Sequence, residues 1–253
     1  MKVFLVQFDI QWHDAEANFN RVRALLDQET IPPGSLIILP ELFAVGFTMN
    51  VEVAAADEPT RTTSFLTELA TTHRSCVIGG LATRDDSTGK GFNQLAAFGP
   101  DGTELTSYQK RRLFRYTNED KSYLPGSSLS LFNFGGLKIQ PLICYDLRFP
   151  ELFREGVQSG AESFIVIANW PKTRHEHWTT LLRARAIENQ AFVFACNRVG
   201  SDPALSYAGG SQIFDPQGKP RCPESSEEII LSAEINPTAV SQWRTEFPAL
   251  ADL

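Results

Sequence analysis

The sequence predicts an α/β fold whose sheets mix parallel and antiparallel strands. Short apolar runs of strand length alternate with segments whose apolar residues recur at helical spacing, which is the pattern of βα units. Turn clusters between other pairs of strand-like runs add hairpins, so the sheets are not purely parallel. The 253 residues are 42% hydrophobic and 21% charged, ordinary values for a chain that buries a core without a metal or disulfide staple.

Each element has a local reason. Residues 3–8 form a buried apolar strand, and Asp14 caps the helix that follows, with Phe19, Val22, Leu25 and Leu26 on one face. Pro32-Pro33-Gly34 ends that unit, and residues 36–39 are a short strand running into Pro40-Glu41. A helix is expected over 62–73 and a strand over 76–81. Strands at 93–98 and 104–108 flank Pro100-Asp101-Gly102, and strands at 129–134 and 137–143 flank Gly135-Gly136, two hairpin signals. A short helix at 151–158, a strand at 163–168, a long helix at 175–190 and a strand at 191–196 follow. Asp215-Pro216-Gln217-Gly218 is a turn between strands at 210–214 and 229–235. With no repeat and no long linker, one domain over 1–253 is expected, with a C-terminal arm from about 236 to 253 that packs on a partner or on its own subunit.

The charge balance excludes some partners. Twenty-three basic and thirty acidic residues leave a net charge of −7, which opposes a nucleic acid or an anionic membrane surface. No apolar run approaches the roughly 18 residues of a membrane span. Residues 1–9 turn acidic too early for a signal peptide, and Cys76, Cys144, Cys196 and Cys222 include no C-x-x-C pair, so a cytoplasmic protein with reduced thiols is expected. No phosphate-binding, dinucleotide-binding or zinc-protease motif is present, and His175 and His177, two apart on a helix, point to different faces. No metal or cofactor is expected.

Three strand ends carry reactive side chains. Cys144 follows the apolar strand 137–143 and precedes a helix start near Pro150, where backbone N–H groups gather and can stabilise an oxyanion. Glu41 ends the strand 36–39 among apolar neighbours, the setting of a candidate base, and Lys110 follows the strand 104–108. Taken singly, each has a plainer reading: a buried core cysteine, a solvated loop glutamate, one member of a solvated basic run. No histidine sits near a strand end to make the commoner Cys–His pair.

Together these residues form a pattern. Leu-Pro-Glu-Leu-Phe at 39–43, Lys-Arg-Arg-Leu-Phe at 110–114 and Cys-Tyr-Asp-Leu-Arg-Phe-Pro-Glu-Leu at 144–152, in that order and 69 and 34 residues apart, resemble the nitrilase superfamily of carbon–nitrogen hydrolases. The likeness spans essentially the whole chain. It implies a four-layer α-β-β-α sandwich that pairs into a homodimer. It also implies Glu41 as base, Lys110 as cationic stabiliser and Cys144 as nucleophile, with Glu119, ahead of Pro125-Gly126, as a second active-site glutamate. The backbone N–H of Tyr145 is the expected oxyanion donor. Cys-Tyr-Asp resembles the small amidase branch of the family, and Asn169-Trp170-Pro171 and residues 186–190 resemble the omega-amidases of bacteria, which deamidate 2-oxoglutaramate and 2-oxosuccinamate. Deaminated glutathione, N-carbamoyl compounds or nitriles on the same triad, or a non-catalytic binding role, stand as alternatives. Such a substrate carries a carboxylate, for which Arg115, Arg148 and Arg174 are candidates, with Phe43 and Trp170 as pocket walls. Arg148 reads equally as an ion-pair partner of Asp146 or Glu151.

Overall fold

A computed structural model describes residues 1–56 and 60–253. The first half runs β1 (Lys2–Gln7), α1 (Ala15–Leu26), β2 (Leu36–Ile38), α2 (Val51–Ala54), α3 (Thr60–His73), β3 (Cys76–Arg84), β4 (Gly91–Phe98), β5 (Glu104–Gln109) and α4 (Glu119–Ser122). The second runs β6 (Phe132–Phe134), β7 (Leu137–Ile143), α5 (Pro150–Gln158), β8 (Ser163–Ala168), α6 (His175–Asn189), β9 (Phe192–Asn197), β10 (Val199–Ser201), β11 (Ser206–Ala208), β12 (Gln212–Phe214), β13 (Ile229–Glu234) and α7 (Thr238–Glu246).

One sheet has the order β13-β1-β2-β3-β4-β5 and the other β12-β9-β8-β7-β6. Each holds a parallel trio, β1-β2-β3 and β7-β8-β9, extended by antiparallel strands at its margins. The sheets meet where β1 touches β9 and β4 touches β7, while α3 covers the first sheet and α6 the second. Both faces of each sheet are therefore buried. In β1, Val3 and Leu5 enter the core between the sheets, while Phe4 and Val6 face the helical layer with Phe19 and Phe65. That alternation follows from the two-residue period of a strand.

The expected α/β sandwich with mixed sheets is what forms. Asp14 caps α1 through a 3.0 Å hydrogen bond from the Ala17 N–H. The hairpins β4–β5 and β6–β7 form, although β6 is only three residues long. The turn at Asp215–Gly218 closes, with the Gly218 N–H donating to the Asp215 carbonyl at 2.8 Å, yet its flanking strands part. β12 joins β9 in the second sheet and β13 joins β1 in the first, so the chain crosses between sheets here. The β10–β11 hairpin was not expected. α7 docks on its own subunit: Val240 is buried, and the Arg244 guanidinium donates to the carbonyls of Ala161, Asn189 and Gln190. Among the described residues no helix is long and apolar enough to cross a membrane.

Candidate active site

The carboxyl ends of β2, β5, β7 and β8 converge, the usual place for a ligand site in sheets with parallel strands. Glu41 follows β2, and its approach to β3 depends on a missing side chain. A Cβ on Gly80 would stand 2.5 Å from the Leu42 nitrogen and 2.6 Å from the Glu41 Cα. Both are backbone atoms, so the strand end would have to shift. Gly80→Ala is therefore expected to lower stability by about 1–3 kcal/mol. Turnover should fall on the order of 10²-fold through a misplaced carboxylate, read by a thermal melt beside a rate assay.

Lys110 lies just beyond β5, fully buried. Its Nζ donates to Glu41 Oε1 and to Glu119 Oε1, each at 2.9 Å. Asn93, from β4, bridges the same two carboxylates: its Nδ2 lies 2.7 Å from Glu41 Oε1 and 3.0 Å from Glu119 Oε1. Burial would depress the lysine, but Glu119, then Glu41 and Cys144 outweigh it and hold the ammonium well above the usual lysine range. The second Glu119 oxygen accepts the Phe114 N–H at 2.5 Å. The basic run is thus divided in use. Lys110 enters the site, whereas Arg111 and Arg112 pair outside it with Glu155 and Glu151 at 2.6 and 3.3 Å.

Cys144 opens a 3₁₀ turn, Cys144–Arg148, at the end of β7 and has φ +47°, an uncommon conformation for an L-residue. Asp146 fixes that turn. Its carboxylate accepts the Ile143 N–H at 3.0 Å, the Tyr108 hydroxyl at 2.8 Å and the Arg112 N–H at 2.9 Å, tying β7, β5 and the Lys110 segment together. Burial pushes Asp146 up to about 6 against the pull of those donors and of Lys110. An unfolded Asp titrates near 4, so folding takes up a proton between roughly pH 4 and 6. Stability from this group is complete below about pH 4 and is lost as pH rises through about 6, on the order of 3 kcal/mol. Asp146→Asn is expected to remove that slope, seen as a smaller drop in melting temperature between pH 4.5 and pH 7 than in the unmodified protein.

Burial, then the charge of Glu41, raises the Cys144 thiol well above the ordinary range, against the pull of Lys110. Cys144, Lys110, Glu41 and Glu119 thus form one coupled cluster. Asn169, just past β8, completes it. Its N–H donates to Glu41 Oε2 at 2.8 Å, and its Nδ2 donates to the Glu41 carbonyl at 2.6 Å.

The thiol opens into a cleft whose lining includes Phe47, Phe114, Tyr145, Arg148, Trp170 and Arg174. Arg148 lies over the Trp170 ring at 4.9 Å and contacts His177 at 3.2 Å. It pairs with neither Asp146, which is taken by other donors, nor Glu151, which is taken by Arg112. Arg174 lies over the Phe114 ring at 5.2 Å. Two expected wall and anchor residues fall elsewhere. Phe43 points to the helical layer, where its ring packs on Phe19 and Phe65 at 5.9 Å and against Gly79. Leu42, at φ +44°, turns the chain between Glu41 and Phe43. Arg115 is exposed and borders a neighbouring depression, apart from the thiol. Asn93 and Asn169 were missed as site residues. The strand-end position shared with Glu41, Lys110 and Cys144 was the available signal for Asn169.

A family model described as "Carbon-nitrogen hydrolase" matches residues 2–245. The chain belongs to the carbon–nitrogen hydrolase family. This hydrolase is 38% identical over 254 residues to omega-amidase YafV of Yersinia enterocolitica, covering 100% of this chain and 96% of that one. It is 34% identical over 250 residues to the 2-oxoglutaramate amidase of Bacillus subtilis (strain 168), covering 98% and 95%. Among solved structures it resembles a CN-hydrolase superfamily protein from Xanthomonas campestris with an arsenic adduct in the active site. That match has TM-score 0.93 and 36% identity over 100% of this chain and 97% of the other. The hydrolase thus has its family's fold, and its chemistry is on carbon–nitrogen bonds of amides.

Proposed function

We propose that this hydrolase is an omega-amidase, cleaving the terminal carboxamide of small 2-oxo acids such as 2-oxoglutaramate and 2-oxosuccinamate to the acid and ammonia. The observation that carries the reading is the buried set of Cys144, Glu41, Lys110 and Glu119 at the floor of a cleft rimmed by two guanidiniums. Neither Arg148 nor Arg174 is paired with a carboxylate among the described residues, which leaves both for a substrate anion. The omega-amidase and 2-oxoglutaramate amidase relatives agree with it.

In this mechanism Glu41 takes the thiol proton as Cys144 Sγ bonds to the carbonyl carbon. Charge builds on the oxygen, facing Lys110 and the backbone N–H of Tyr145, and one such donor is worth about 3–4 kcal/mol of barrier. Glu41 returns the proton to nitrogen, the C–N bond breaks and ammonia leaves a thioester on Cys144. Water then gives a proton to Glu41 and attacks the thioester. The C–S bond breaks, the sulfur regains a proton and the acid departs. Glu119 holds Lys110 in place through Oε1, 2.9 Å from Nζ. The enzyme acts in the cytoplasm as a homodimer in this reading, the latter checked by light scattering.

The test is ammonia release from 2-oxoglutaramate, 2-oxosuccinamate, deaminated glutathione, an N-carbamoyl amino acid and a nitrile. Highest kcat/KM on the two oxo-acid amides is expected. Dominant turnover of any other member would move the substrate, and release from none would overturn the reading.

A further inference from the structure

The Asn169 side chain has one use that its contacts leave open. It lines the cleft and is buried, and its Oδ1 is shielded from solvent with no hydrogen-bond partner. Its orientation is set, because Nδ2 faces the Glu41 carbonyl at 2.6 Å and Glu41 Oε2 at 3.4 Å, both acceptors. An acceptor buried without a donor is costly to keep and calls for a ligand that fills it. The place narrows the donor. The charge of Glu41 acts on the Cys144 thiol, Glu41 also binds Asn169, and the Asn169 carbonyl lies 4.0 Å from Cys144 Sγ. A group that is attacked by this sulfur and protonated by this carboxylate brings its leaving atom beside Asn169.

We infer that Asn169 Oδ1 accepts an N–H of the scissile carboxamide and thereby selects a primary amide over the corresponding methyl ester. Rested on the amidase reading, this adds a specificity residue to the site. The bonded hydrogen stays on nitrogen and departs with ammonia, so no proton moves to Asn169. An ester offers no N–H and leaves Oδ1 unfilled, whereas Cys144 and Lys110 serve both substrates alike and Glu41 gives its proton chiefly to the amide nitrogen.

The experiment compares 2-oxoglutaramate with the 5-methyl ester of 2-oxoglutarate in wild type, Asn169→Ser and Asn169→Ala. Serine keeps a small polar side chain but is too short to carry the Nδ2 donor to the Glu41 carbonyl, so the two variants loosen Glu41 alike. Both variants loosen Glu41 and slow both substrates, and the expected result is a kcat/KM that falls about 10–100-fold further for the amide than for the ester. Parallel losses on both substrates would overturn the inference, and because a misplaced Glu41 also slows the amide more than the ester, a binding readout separates the two causes. Calorimetry in a Cys144→Ala background gives a readout without turnover. The amide should bind about 10-fold tighter than the ester, and Asn169→Ser should abolish that preference, while a preference that survives would sink the idea. Wild type that releases no ammonia from 2-oxoglutaramate overturns the substrate assignment instead. The same comparison then passes to whichever carboxamide is turned over, because Asn169 meets only its scissile end.

Discussion

Cys144→Ala is expected to lower ammonia release from 2-oxoglutaramate by on the order of 10⁴-fold or more while the protein still folds. The loss is large because no neighbour can replace the sulfur. Lys110 is a cation held by two carboxylates, and Cys76 and Cys196 are buried without exposed surface. The fold survives because Glu41, Lys110 and Glu119 remain paired with each other, so no charge is orphaned. The backbone supplies a second readout. At φ +47° an L-residue carries about 1–2 kcal/mol of strain that glycine escapes. Elsewhere glycine costs about 0.5–1 kcal/mol relative to alanine through the freedom it loses on folding. The two effects oppose each other here, so Cys144→Gly should melt at or slightly above Cys144→Ala, with both inactive. A Cys144→Ala protein with full activity would end the nucleophile assignment. A glycine variant that melts far below the alanine variant would mean that the turn is unstrained.

What the sequence made legible follows from what strand ends look like in one dimension. Glu41, Lys110 and Cys144 each follow an apolar run, and a reactive side chain there is visible without knowing which strands pair. Asn93 gave no such sign. It lies inside β4, and only the pairing of β4 with both β3 and β5 turns it toward two carboxylates from other segments. Phe43 lies outside the cleft because the chain turns at Leu42, whose φ is +44°, and no residue pattern in the sequence announces that turn. The three arginines are equal in sequence. The paths of the loops that carry them send Arg148 and Arg174 to the cleft and Arg115 to solvent. Asp215–Gly218 has the same turn chemistry whether its flanking strands pair or part, so the crossing between sheets was illegible. The four layers came from the family resemblance, and the six- and five-stranded sheets with helices outside them agree with it.

Glu41→Gln and Glu119→Gln should separate two carboxylates that look alike from Lys110. Both accept its Nζ at 2.9 Å, and both accept Asn93 Nδ2. They differ in the remaining contacts. Glu41 also meets the thiol and the Asn169 N–H, whereas the other Glu119 oxygen is committed to the Phe114 N–H. Only Glu41 can take the proton of Cys144, so its glutamine variant should lose about 10³–10⁴-fold in kcat and the Glu119 variant about 10–10²-fold. The thiol gives an independent check with an opposite sign. The negative charge of Glu41 is one of the forces that hold Cys144 protonated, second only to burial, while Lys110 pulls the other way. Removing that charge leaves the pull of Lys110 less opposed, so Cys144 in Glu41→Gln should ionise at lower pH. Iodoacetamide should then alkylate it faster at neutral pH than in wild type, although turnover has collapsed. Glu119→Gln should show the same change more weakly, since its charge acts on the thiol less than that of Glu41 or Lys110. Equal losses of kcat in the two variants, with unchanged alkylation in both, would mean that Glu41 neither faces the thiol nor serves as its base.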